Sequence, residues 1–450
     1  MSARDRADAV YETLLSRAGE RWVQPRKERT ARILAYLDDP QRTYRVVHIT
    51  GTNGKTSTAR MIESLLRAHG LRTGLFTSPH LERFTERIMI DGEPIEDAAV
   101  GDAWEEIEPF VDIVDAELVA AGEEPLTFFE LLTVLAFVAV ADAPVDVLVL
   151  EVGMGGEWDS TNTADGDVAV FAPIDIDHAD RLGDTIAAIA TVKAGIIKEG
   201  AAVVSAEQPA EAAEVLRRVA AERNATIAFE GDEFGLTDQK LAVGGQLISV
   251  RGLAGEYTEE YLPQYGAHQG HNAALAVAAV ESLIGGGAQR IAADIVSEGL
   301  QGATSPGRLQ LLGIAPTVIV DAAHNPHGAA ALAQAMDDSF DFDEWGVVLG
   351  VLADKDAAGI VATLAPTAAH VFATAPESER ASDADVIADL VEATGQRATV
   401  HPTLADAADA AREWASSSER RAVVIAGSVV LAGEAIALAE EEDWKSGWRA

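Results

Sequence analysis

The sequence predicts an α/β fold: a doubly wound, mainly parallel β-sheet with a small accessory β-sheet, followed by a second, smaller α/β domain. Three observations lead to this prediction. Short β-rich apolar segments alternate with helical segments in the first half of the chain, this alternation lapses near residue 226, and it resumes after residue 305. Buried strands that alternate with helices form parallel sheets, because each helix returns the chain across one face of the sheet.

The first alternation begins at residues 44–50, a strand candidate that is followed by the glycine loop GTNGKT and a helix with apolar residues at helical spacing. The later segments continue the pattern: LRTGLFTS (strand), FFELLTVLAFVAVA (helix), VDVLVLEVG, DVAVFAPIDI and AAVVSA (strands). From Thr226 to Leu253 the helical period is lost, which predicts the accessory antiparallel sheet before an Ala-rich helix at Asn272–Ile284. The second alternation contains the strand candidates TVIVDAA, WGVVLGVL, HVFATA and RAVVIAGS.

Length and composition favour more than one domain. The chain has 450 residues, 48% of them apolar, which exceeds the usual size of one hydrophobic core and favours two or three domains. Because the second alternation begins after Ser305-Pro306-Gly307, we predict one domain at residues 1–302 and another at residues 303–450.

The charge balance bears on partners and on cellular setting. Acidic residues outnumber basic ones 73 to 34, and the formal net charge of −39 repels nucleic acid and anionic membranes, so neither is expected as a partner. Only seven of the basic residues are lysine. An acidic, lysine-poor surface suggests a halophilic protein, because concentrated salt screens the repulsion.

The remaining composition favours a cytoplasmic protein, which we expect to be a monomer. Cysteine is absent, so disulfides, thiolate metal sites and cysteine nucleophiles are excluded. The amino terminus has acids among its basic residues and no apolar core region, unlike a signal peptide. The longest apolar run, Leu131–Ala141, is too short to span a bilayer.

The glycine loop is a candidate phosphate site. Residues 51–56 connect a strand to a helix, so backbone N–H groups and the helix N-terminus can face a phosphate, with the charge of Lys55 added. The hydroxyl of Thr56 or Ser57 can reach a metal ion. The loop is shorter than the usual phosphate loop, and a simple glycine turn is the alternative; its position between strand and helix favours the phosphate site.

A metal site is predicted at the same edge of the sheet. Glu151 ends an apolar strand, at the carboxyl edge where open α/β sheets bind ligands. His178 follows the next strand, with Asp175 and Asp177 as competing ligands, and Ser78 stands at another strand end. Magnesium prefers oxygen ligands, waters and substrate phosphate. His178 could equally be a structural histidine, and Ser78 a turn residue before proline.

Ten motifs in order extend the interpretation to most of the chain. They are VHITGTNGKTST, GLFTSPHLERFTERIMIDGEPI, LTFFELLTVLAF, LEVGMGGEWDSTN, DHADRLGDTIAAIATVKAGIIKEG, HQGHNAALAV, SPGRLQ, DAAHNPHG, VLADKD and AGSVVLAG. With these motifs the chain resembles the folylpolyglutamate synthase/dihydrofolate synthase family, ATP-dependent ligases related to the muramyl peptide ligases. The resemblance implies a P-loop ATPase-like first domain, a Rossmann-like second domain, and ligation of glutamate to the carboxylate of dihydropteroate or of folate polyglutamates through an acyl phosphate.

The resemblance also implies residue roles. Catalytic roles fall to Lys55, Lys193 and His178, with Lys193 carbamoylated. Magnesium, with two ions expected, is assigned to Ser78, Glu151 and His178. ATP is assigned to Asn53, Gly54, Lys55, Thr56, Ser57, Asn272, Arg308 and Asp321. The other substrates are assigned to Phe128, Phe129, Glu130, Asp159 and Ser160 on the pterin side, and to His324 and Ser428 on the glutamate side. Arg83 and Arg87 are expected to attract the substrate carboxylates.

Simpler interpretations stand beside these roles. From residues alone Lys193 is an ordinary helix-surface lysine, TFFE inside an apolar helix is core, and Arg83 and Arg87 are a salt-bridged surface pair. Thr56 stands where folate ligases commonly have glycine, and DAAHNP replaces the more usual DGAHNP. A muramyl peptide ligase is therefore one alternative, although those enzymes carry an additional amino-terminal domain. A catalytically silent ATP-binding module is the other.

Overall fold

The structure, a computed structural model, describes residues 2–19 and 26–445 and arranges them around three β-sheets. The first sheet has eight strands, the second is a three-stranded antiparallel sheet, and the third has six strands. The predicted fold class is confirmed. Within the described residues, no helix is both long enough and apolar enough to cross a membrane.

The strands are numbered in chain order. They are β1 (Arg45–Thr50), β2 (Thr73–Phe76), β3 (Ile88–Ile90), β4 (Glu93–Pro94), β5 (Val147–Glu151), β6 (Val168–Phe171), β7 (Ala202–Ser205), β8 (Thr226–Phe229), β9 (Gly235–Ala242), β10 (Gly245–Arg251), β11 (Glu256–Leu262), β12 (Gln310–Ile314), β13 (Thr317–Val320), β14 (Glu344–Leu349), β15 (His370–Ala373), β16 (Ala398–Val400) and β17 (Arg421–Ala426).

The helices are numbered in the same way. They are α1 (Ala3–Leu15), α2 (Glu28–Tyr36), α3 (Lys55–Ala68), α4 (Asp97–Ala120), α5 (Phe128–Asp142), α6 (Ala179–Leu182), α7 (Ile186–Ala194), α8 (Ala210–Glu222), α9 (Ala267–Gly285), α10 (Ala293–Gly302), α11 (Pro326–Ser339), α12 (Ala357–Leu364), α13 (Ala384–Ala393), α14 (Leu404–Ser416) and α15 (Val429–Glu441).

The first sheet has the strand order β4-β3-β2-β5-β1-β6-β7-β8, and its six strands from β2 to β8 are mutually parallel. Its central strands are buried on both faces. In β5, Val147 and Val149 belong to one apolar cluster and Leu148 and Leu150 to another. Two-sided burial explains why these strands are continuous apolar runs in the sequence. Their parallel pairing brings the carboxyl ends of β1, β2, β5 and β6 together at one edge.

The accessory sheet differs from its predicted bounds. It contains β9, β10 and β11, whereas β8 pairs parallel with β7 as the edge of the first sheet. The prediction of an antiparallel patch beginning at Thr226 is therefore wrong for β8, which the preceding helix α8 returns to the same sheet. The Ala-rich helix was also predicted too short, because α9 begins at Ala267 rather than Asn272.

The third sheet has the order β12-β13-β17-β14-β15-β16, with all neighbours parallel except β12 and β13. Two of its helices that begin near the cleft have side-chain caps: Asn325 accepts from the N–H of Gly328 at the start of α11, and Ser428 accepts from that of Leu431 at the start of α15. Both caps follow strand ends that face the first sheet across a cleft. The boundary at residues 302 and 303 stays a proposal.

Candidate active site

A cleft of about 660 Å³ lies between the carboxyl edge of the first sheet and the loops of the third. Its lining from the first half of the chain includes the loop at residues 50–57 and the loop at residues 151–155. The second half contributes Arg308, His324, Lys355, Arg380 and residues 428–430. The cleft therefore needs both halves of the chain, which is the usual position of a ligand site in such folds.

The glycine loop forms the floor of the cleft. Gly54 has φ +83° at the start of α3, a conformation that favours glycine. A Cβ there would lie 2.8 Å from Oδ1 of Asn272, so that side chain packs directly behind the loop. Nζ of Lys55 donates to the carbonyl oxygens of Gly51 and Thr52, both at 3.2 Å. The loop thus has the backbone and the cation that phosphate binding requires.

The second half of the chain touches this loop directly. Nδ2 of Asn325 donates to Oδ1 of Asn53 at 3.2 Å. Nearby, Nδ1 of His327 lies 2.8 Å from a carboxylate oxygen of Asp175. Asn53 and Asp175 belong to loops that follow β1 and β6, so two polar contacts join the sheets beside the phosphate loop.

Glu151 is the buried carboxylate of the cleft, with 1% of its surface exposed. Oγ1 of Thr56 donates to its two oxygens at 2.9 and 3.0 Å, and the N–H of Ser78 lies 3.4 Å away. Burial raises the pKa of Glu151, opposed by the charge of Lys55 and the hydrogen bond from Thr56. A carboxylate beside two residues with hydroxyl groups fits Mg²⁺, which commonly binds one or two carboxylates together with substrate phosphates and water.

The three predicted metal residues all line the cleft: Ser78, Glu151 and His178. His178 has φ +51° directly before α6, and its Nε2 lies 3.9 Å from a carboxylate oxygen of Asp177. Burial lowers the pKa of His178, which favours the neutral ring that binds metals. Of the competing acids, Asp177 lines the cleft, whereas Asp175 pairs with His327. Across residues 2–19 and 26–445, no three His, Asp or Glu side chains form a metal-binding group.

Lys193 is buried, with 4% of its surface exposed, and is not the surface lysine that the residues alone suggested. It lies in α7, and its Nζ donates to the carbonyl oxygen of Gly51 at 2.7 Å. Burial, and then the charge of Lys55, lower the pKa of Lys193 to about 7. A substantial fraction of this amine is therefore neutral near pH 7, beside the phosphate loop.

The pterin-side residues divide between cleft and core. Phe129, Glu130, Asp159 and Ser160 line the cleft. Phe128 does not: it is 4% exposed and packs in the core with Tyr11, so for this ring the structure favours the core interpretation. The glycine at position 153 allows the Phe129 ring to approach, since a Cβ there would lie 2.4 Å from the ring.

Of the two arginines considered for the substrate carboxylates, Arg83 and Arg87, one lies in the cleft and the other outside it. Arg87 lines the cleft, where its Nε donates to Nδ1 of His80 at 2.7 Å. Arg83 is instead paired with Asp97 at 2.7 Å and is not among the residues of the cleft. The structure therefore does not bring Arg83 to the substrate region, and the surface ion pair describes it better.

The second half presents His324, Arg308 and Ser428 to the cleft. Nδ1 of His324 contacts the carbonyl oxygen of Ala322 at 2.9 Å, and burial lowers its pKa to about 4. Asp321 is buried outside the cleft lining and accepts from the N–H groups of Leu309 and Ala323. Its position suggests that it holds the chain segment that carries Arg308.

Several cleft residues were not predicted from the sequence. Lys355 belongs to the VLADKD motif, which was recognised without a role for its lysine. Both carboxylate oxygens of Asp354 accept from Nη2 of Arg380, each at 2.8 Å. Thr50 donates to the carbonyl oxygen of Gly155 at 2.8 Å. Of these residues, only Lys355 could have been found from the sequence, from its place in a recognised motif. The contacts of Asp354 and Thr50 join segments that are distant in the sequence.

Fold and cleft together define an ATP-dependent ligase of the Mur type. The chain matches the Mur ligase middle domain over residues 49–280 and the Mur ligase glutamate ligase domain over residues 307–429. The dihydrofolate synthase/folylpolyglutamate synthase of Mycobacterium tuberculosis is 44% identical over 447 residues, covering 92% of this chain and 91% of that protein. The chain belongs to the dihydrofolate synthase/folylpolyglutamate synthase family.

Other relatives agree with this assignment. A protein of the same name from Escherichia coli is 33% identical, covering 85% of this chain and 84% of that protein. The solved structure of Mycobacterium tuberculosis folylpolyglutamate synthase complexed with ADP has a TM-score of 0.92 at 43% identity, covering 97% of this chain and 99% of that one. Escherichia coli FolC in complex with DHPP and ADP has a TM-score of 0.85 at 28% identity, covering 97% and 98%.

Proposed function

We infer that the chain ligates glutamate to the carboxylate of dihydropteroate or of folate polyglutamates, converting ATP to ADP and phosphate. One observation carries this inference: the phosphate loop, four of the pterin-side residues (Phe129, Glu130, Asp159 and Ser160) and the glutamate-side residues His324 and Ser428 line one cleft. The name of the Mycobacterium tuberculosis relative and the ADP in the solved structure of folylpolyglutamate synthase support the same substrates. A monomeric state and a cytoplasmic, halophilic setting belong to the same proposal.

The first step requires an activated carboxylate. Transfer of the γ-phosphoryl group converts a poor leaving oxygen into phosphate, so the acid proceeds as an acyl phosphate. Lys55 and the backbone N–H groups of residues 53–57 would hold the phosphates and offset the negative charge of the transition state. Ser78, Glu151 and His178 would hold magnesium, with two ions expected; bound there, it supplies charge neutralisation at the transferring phosphoryl group.

The second step is attack by the amine of glutamate on the acyl phosphate, which forms the amide bond, expels inorganic phosphate and gives the proton of the amine to a base or water. His324 is neutral near pH 7 because its pKa is about 4, and its Nδ1–H is used by the Ala322 carbonyl. Its Nε2 is then a hydrogen-bond acceptor, suited to orient the incoming amino group. Ser428 and Arg308 also line the cleft. Ser428 would bind a carboxylate of glutamate, and Arg308 would bind the phosphates of ATP.

The pterin would lie on the opposite side of the cleft. Phe129 offers an aromatic face, and Glu130 and Asp159 offer carboxylates for the ring's N–H groups. Arg87 lies close enough to Phe128, 5.3 Å from its guanidinium carbon to the ring centre, to share this region. It is the better candidate of the two arginines for a substrate carboxylate.

Lys193 is proposed to be carbamoylated. Its neutral amine would attack CO₂, forming an N–C bond and releasing one proton, so that a cation becomes an anion beside the phosphate loop. The low pKa of about 7 and the 2.7 Å contact to Gly51 support this proposal, because both place a reactive amine at the loop. The anion would help hold the second magnesium ion.

The deciding experiment measures phosphate release by the purified chain with Mg²⁺-ATP and glutamate. Dihydropteroate, tetrahydrofolate and a muramyl acceptor are compared, and we expect release only with the two pterins. Glu151→Gln should remove most of it. Glu281→Gln is the matched control, since Glu281 is equally buried but bonds Tyr257 and the N–H of Leu253 outside the cleft. Release with the muramyl acceptor alone, or with none, would contradict the proposal.

A further inference from the structure

A chain of hydrogen bonds runs from the central strand β1 to the pterin side of the cleft. Nε2 of His48 lies 3.0 Å from Oγ1 of Thr161, and that hydroxyl lies 2.5 Å from Oδ1 of Asp159. His48 and Thr161 are fully buried, whereas Asp159 reaches the cleft with 5% of its surface exposed. The histidine and the hydroxyl therefore act only through the carboxylate.

The direction of each hydrogen bond follows from the donors available. Thr161 has one hydroxyl proton, and a carboxylate oxygen at 2.5 Å takes it. The same hydroxyl must then accept from His48, which fixes the proton of this histidine on Nε2. Burial lowers the pKa of His48 to about 3, so the ring is neutral and Nδ1 has no proton. Nδ1 is indeed buried without a hydrogen-bond partner among the described residues.

The carboxylate of Asp159 receives several donors at once. The N–H of Thr161 lies 3.0 Å from Oδ1, and the N–H of Met154 lies 2.9 Å from Oδ2. Both oxygens are thus fixed in direction. A buried acceptor of fixed direction is what a ligand with N–H donors needs, because its hydrogen bonds form without reorganisation of the site.

Strand β1 holds the loop of Asp159 at a second point. Side chains two residues apart on a strand lie on the same face. Accordingly, Thr50 donates to the carbonyl oxygen of Gly155 at 2.8 Å, while His48 bonds Thr161. The loop at residues 153–161 is therefore bound at both ends by one face of β1.

We propose that His48 is a positioning residue for the acceptor, which acts through Thr161 to hold the carboxylate of Asp159 toward the pterin. This proposal rests on the proposed function, because that function places Asp159 in the pterin subsite. If His48 is purely structural, its replacement lowers the stability of the chain and weakens the binding of all substrates alike. If His48 is a positioning residue, its replacement weakens the binding of the acceptor and leaves the binding of ATP unchanged.

The test compares pairs of variants in the full chain. His48→Met removes the donor and His48→Gln keeps an N–H at similar reach; Thr161→Val removes the hydroxyl and Thr161→Ser keeps it. We expect Thr161→Val to raise the KM for dihydropteroate by about 10- to 100-fold, since it removes a hydrogen bond to a charged group, and His48→Met to raise it by about 3- to 10-fold. The Gln and Ser variants should recover most of the loss, and the KM for ATP should stay within about twofold in all four.

A double-mutant cycle shows whether His48 acts through Asp159. In an Asp159→Asn background His48→Met should have little further effect on acceptor affinity, measured by titration of pterin fluorescence without turnover. Thr374→Val is the matched control for Thr161→Val, because Thr374 is fully buried in the second half and its hydroxyl has no partner among the described residues. It should leave both KM values unchanged.

The outcomes separate this proposal from the proposed function. If the wild-type chain ligates dihydropteroate and His48→Met keeps its KM, the positioning role of His48 is wrong and the function stands, whatever Thr161→Val does, because Thr161 bonds Asp159 directly. Full additivity of His48→Met with Asp159→Asn, or equal losses for ATP, would also overturn the role. A wild-type chain that ligates no pterin would overturn the proposed function itself. If His48→Met does not fold, His48→Leu replaces it in the same comparison with His48→Gln.

Discussion

At the scale of single residues, the phosphate loop, Glu151 and His178 meet in the cleft because of where their strands end. The loop follows β1, Glu151 ends β5 and His178 follows β6, and the carboxyl ends of parallel strands share one edge of the sheet. The roles of residues that are adjacent in the sequence were harder to tell apart. Phe128 and Phe129 are adjacent on one helix, so one faces the core and the other the cleft. No local sequence pattern shows which of the two rings faces the core, because their directions depend on the elements that pack around α5.

Residues that act through others left no signal in the sequence. His48 lies in an apolar strand, and its partner Thr161 is more than a hundred positions away. The burial of Lys193, whose motif did give it a role, was missed for the same reason: its amine contacts the carbonyl of Gly51, 142 positions away. Such contacts arise only when the tertiary fold brings distant segments together.

The chemistry of Lys193 gives a prediction with a defined sign in pH. Only the neutral amine attacks CO₂, and its pKa is about 7. At a fixed partial pressure of CO₂, reactivation of a CO₂-depleted enzyme should therefore be slow at pH 6 and faster at pH 8, as the fraction of neutral amine rises. The measurement is phosphate release after the depleted enzyme is returned to buffers of each pH that are equilibrated with the same CO₂ pressure.

Two variants complete this experiment. Lys193→Ala should be nearly inactive with or without bicarbonate. Lys198→Ala is the matched control, because Lys198 also has a pKa lowered by burial, to about 8, but lies outside the cleft lining and donates to the carbonyl of Asn162. It should keep the response to bicarbonate. Normal turnover of Lys193→Ala in both buffers would rule out the carbamate.

At the scale of elements, long apolar segments were predicted well and short or exposed ones poorly. The strands β1, β5, β14 and β17 are five- or six-residue runs with almost every residue buried, so their sequences alone identify them. The strand β16 has three residues, of which two are exposed, and it carries no such pattern. The strand β8 was assigned to the wrong sheet because its pairing with β7 depends on the helix between them.

One contact between elements is close enough to test. A Cβ at Gly433, in α15, would lie 2.0 Å from the carbonyl oxygen of Leu81. Leu81 belongs to the loop after β2 and packs against the apolar cluster of the second half. That loop carries Ser78, and α15 follows its cap Ser428, so this contact sets the distance between two parts of the cleft.

Gly433→Ala should therefore separate the two halves slightly. We expect kcat to fall by about 10- to 100-fold, because small displacements at a reacting centre cost rates of that order. The free energy of unfolding should fall by about 1–3 kcal/mol from overpacking. Ala437→Val, at an exposed position of the same helix, adds bulk without this contact and should keep both values. A Gly433→Ala enzyme with wild-type kcat would show that the contact does not position the site.

At the scale of the whole molecule, charge is distributed unevenly. The chain has a net charge of −39, yet the cleft lining contains eight basic and five acidic residues. Three of the seven lysines, Lys55, Lys193 and Lys355, lie there. The site is thus locally positive, which suits phosphate and carboxylate substrates, while the remaining surface carries the negative excess. That excess gives a self-repulsion that the fold must overcome.

Salt should relieve this repulsion and stabilise the fold. The Debye length falls from about 10 Å at 0.1 M salt to about 3 Å at 1 M, so most surface charges cease to interact. We expect the free energy of unfolding in urea to rise steadily with KCl over this range.

Replacing Glu106, Asp112 and Glu214 by lysine tests the cause, since all three are exposed and without an ion pair among the described residues. The change moves the net charge by six, from −39 to −33. The triple variant should be more stable than the wild type in dilute salt and respond less to KCl, because less repulsion remains to be screened. An equal slope in both proteins would mean that KCl acts by another route than the charge of the surface.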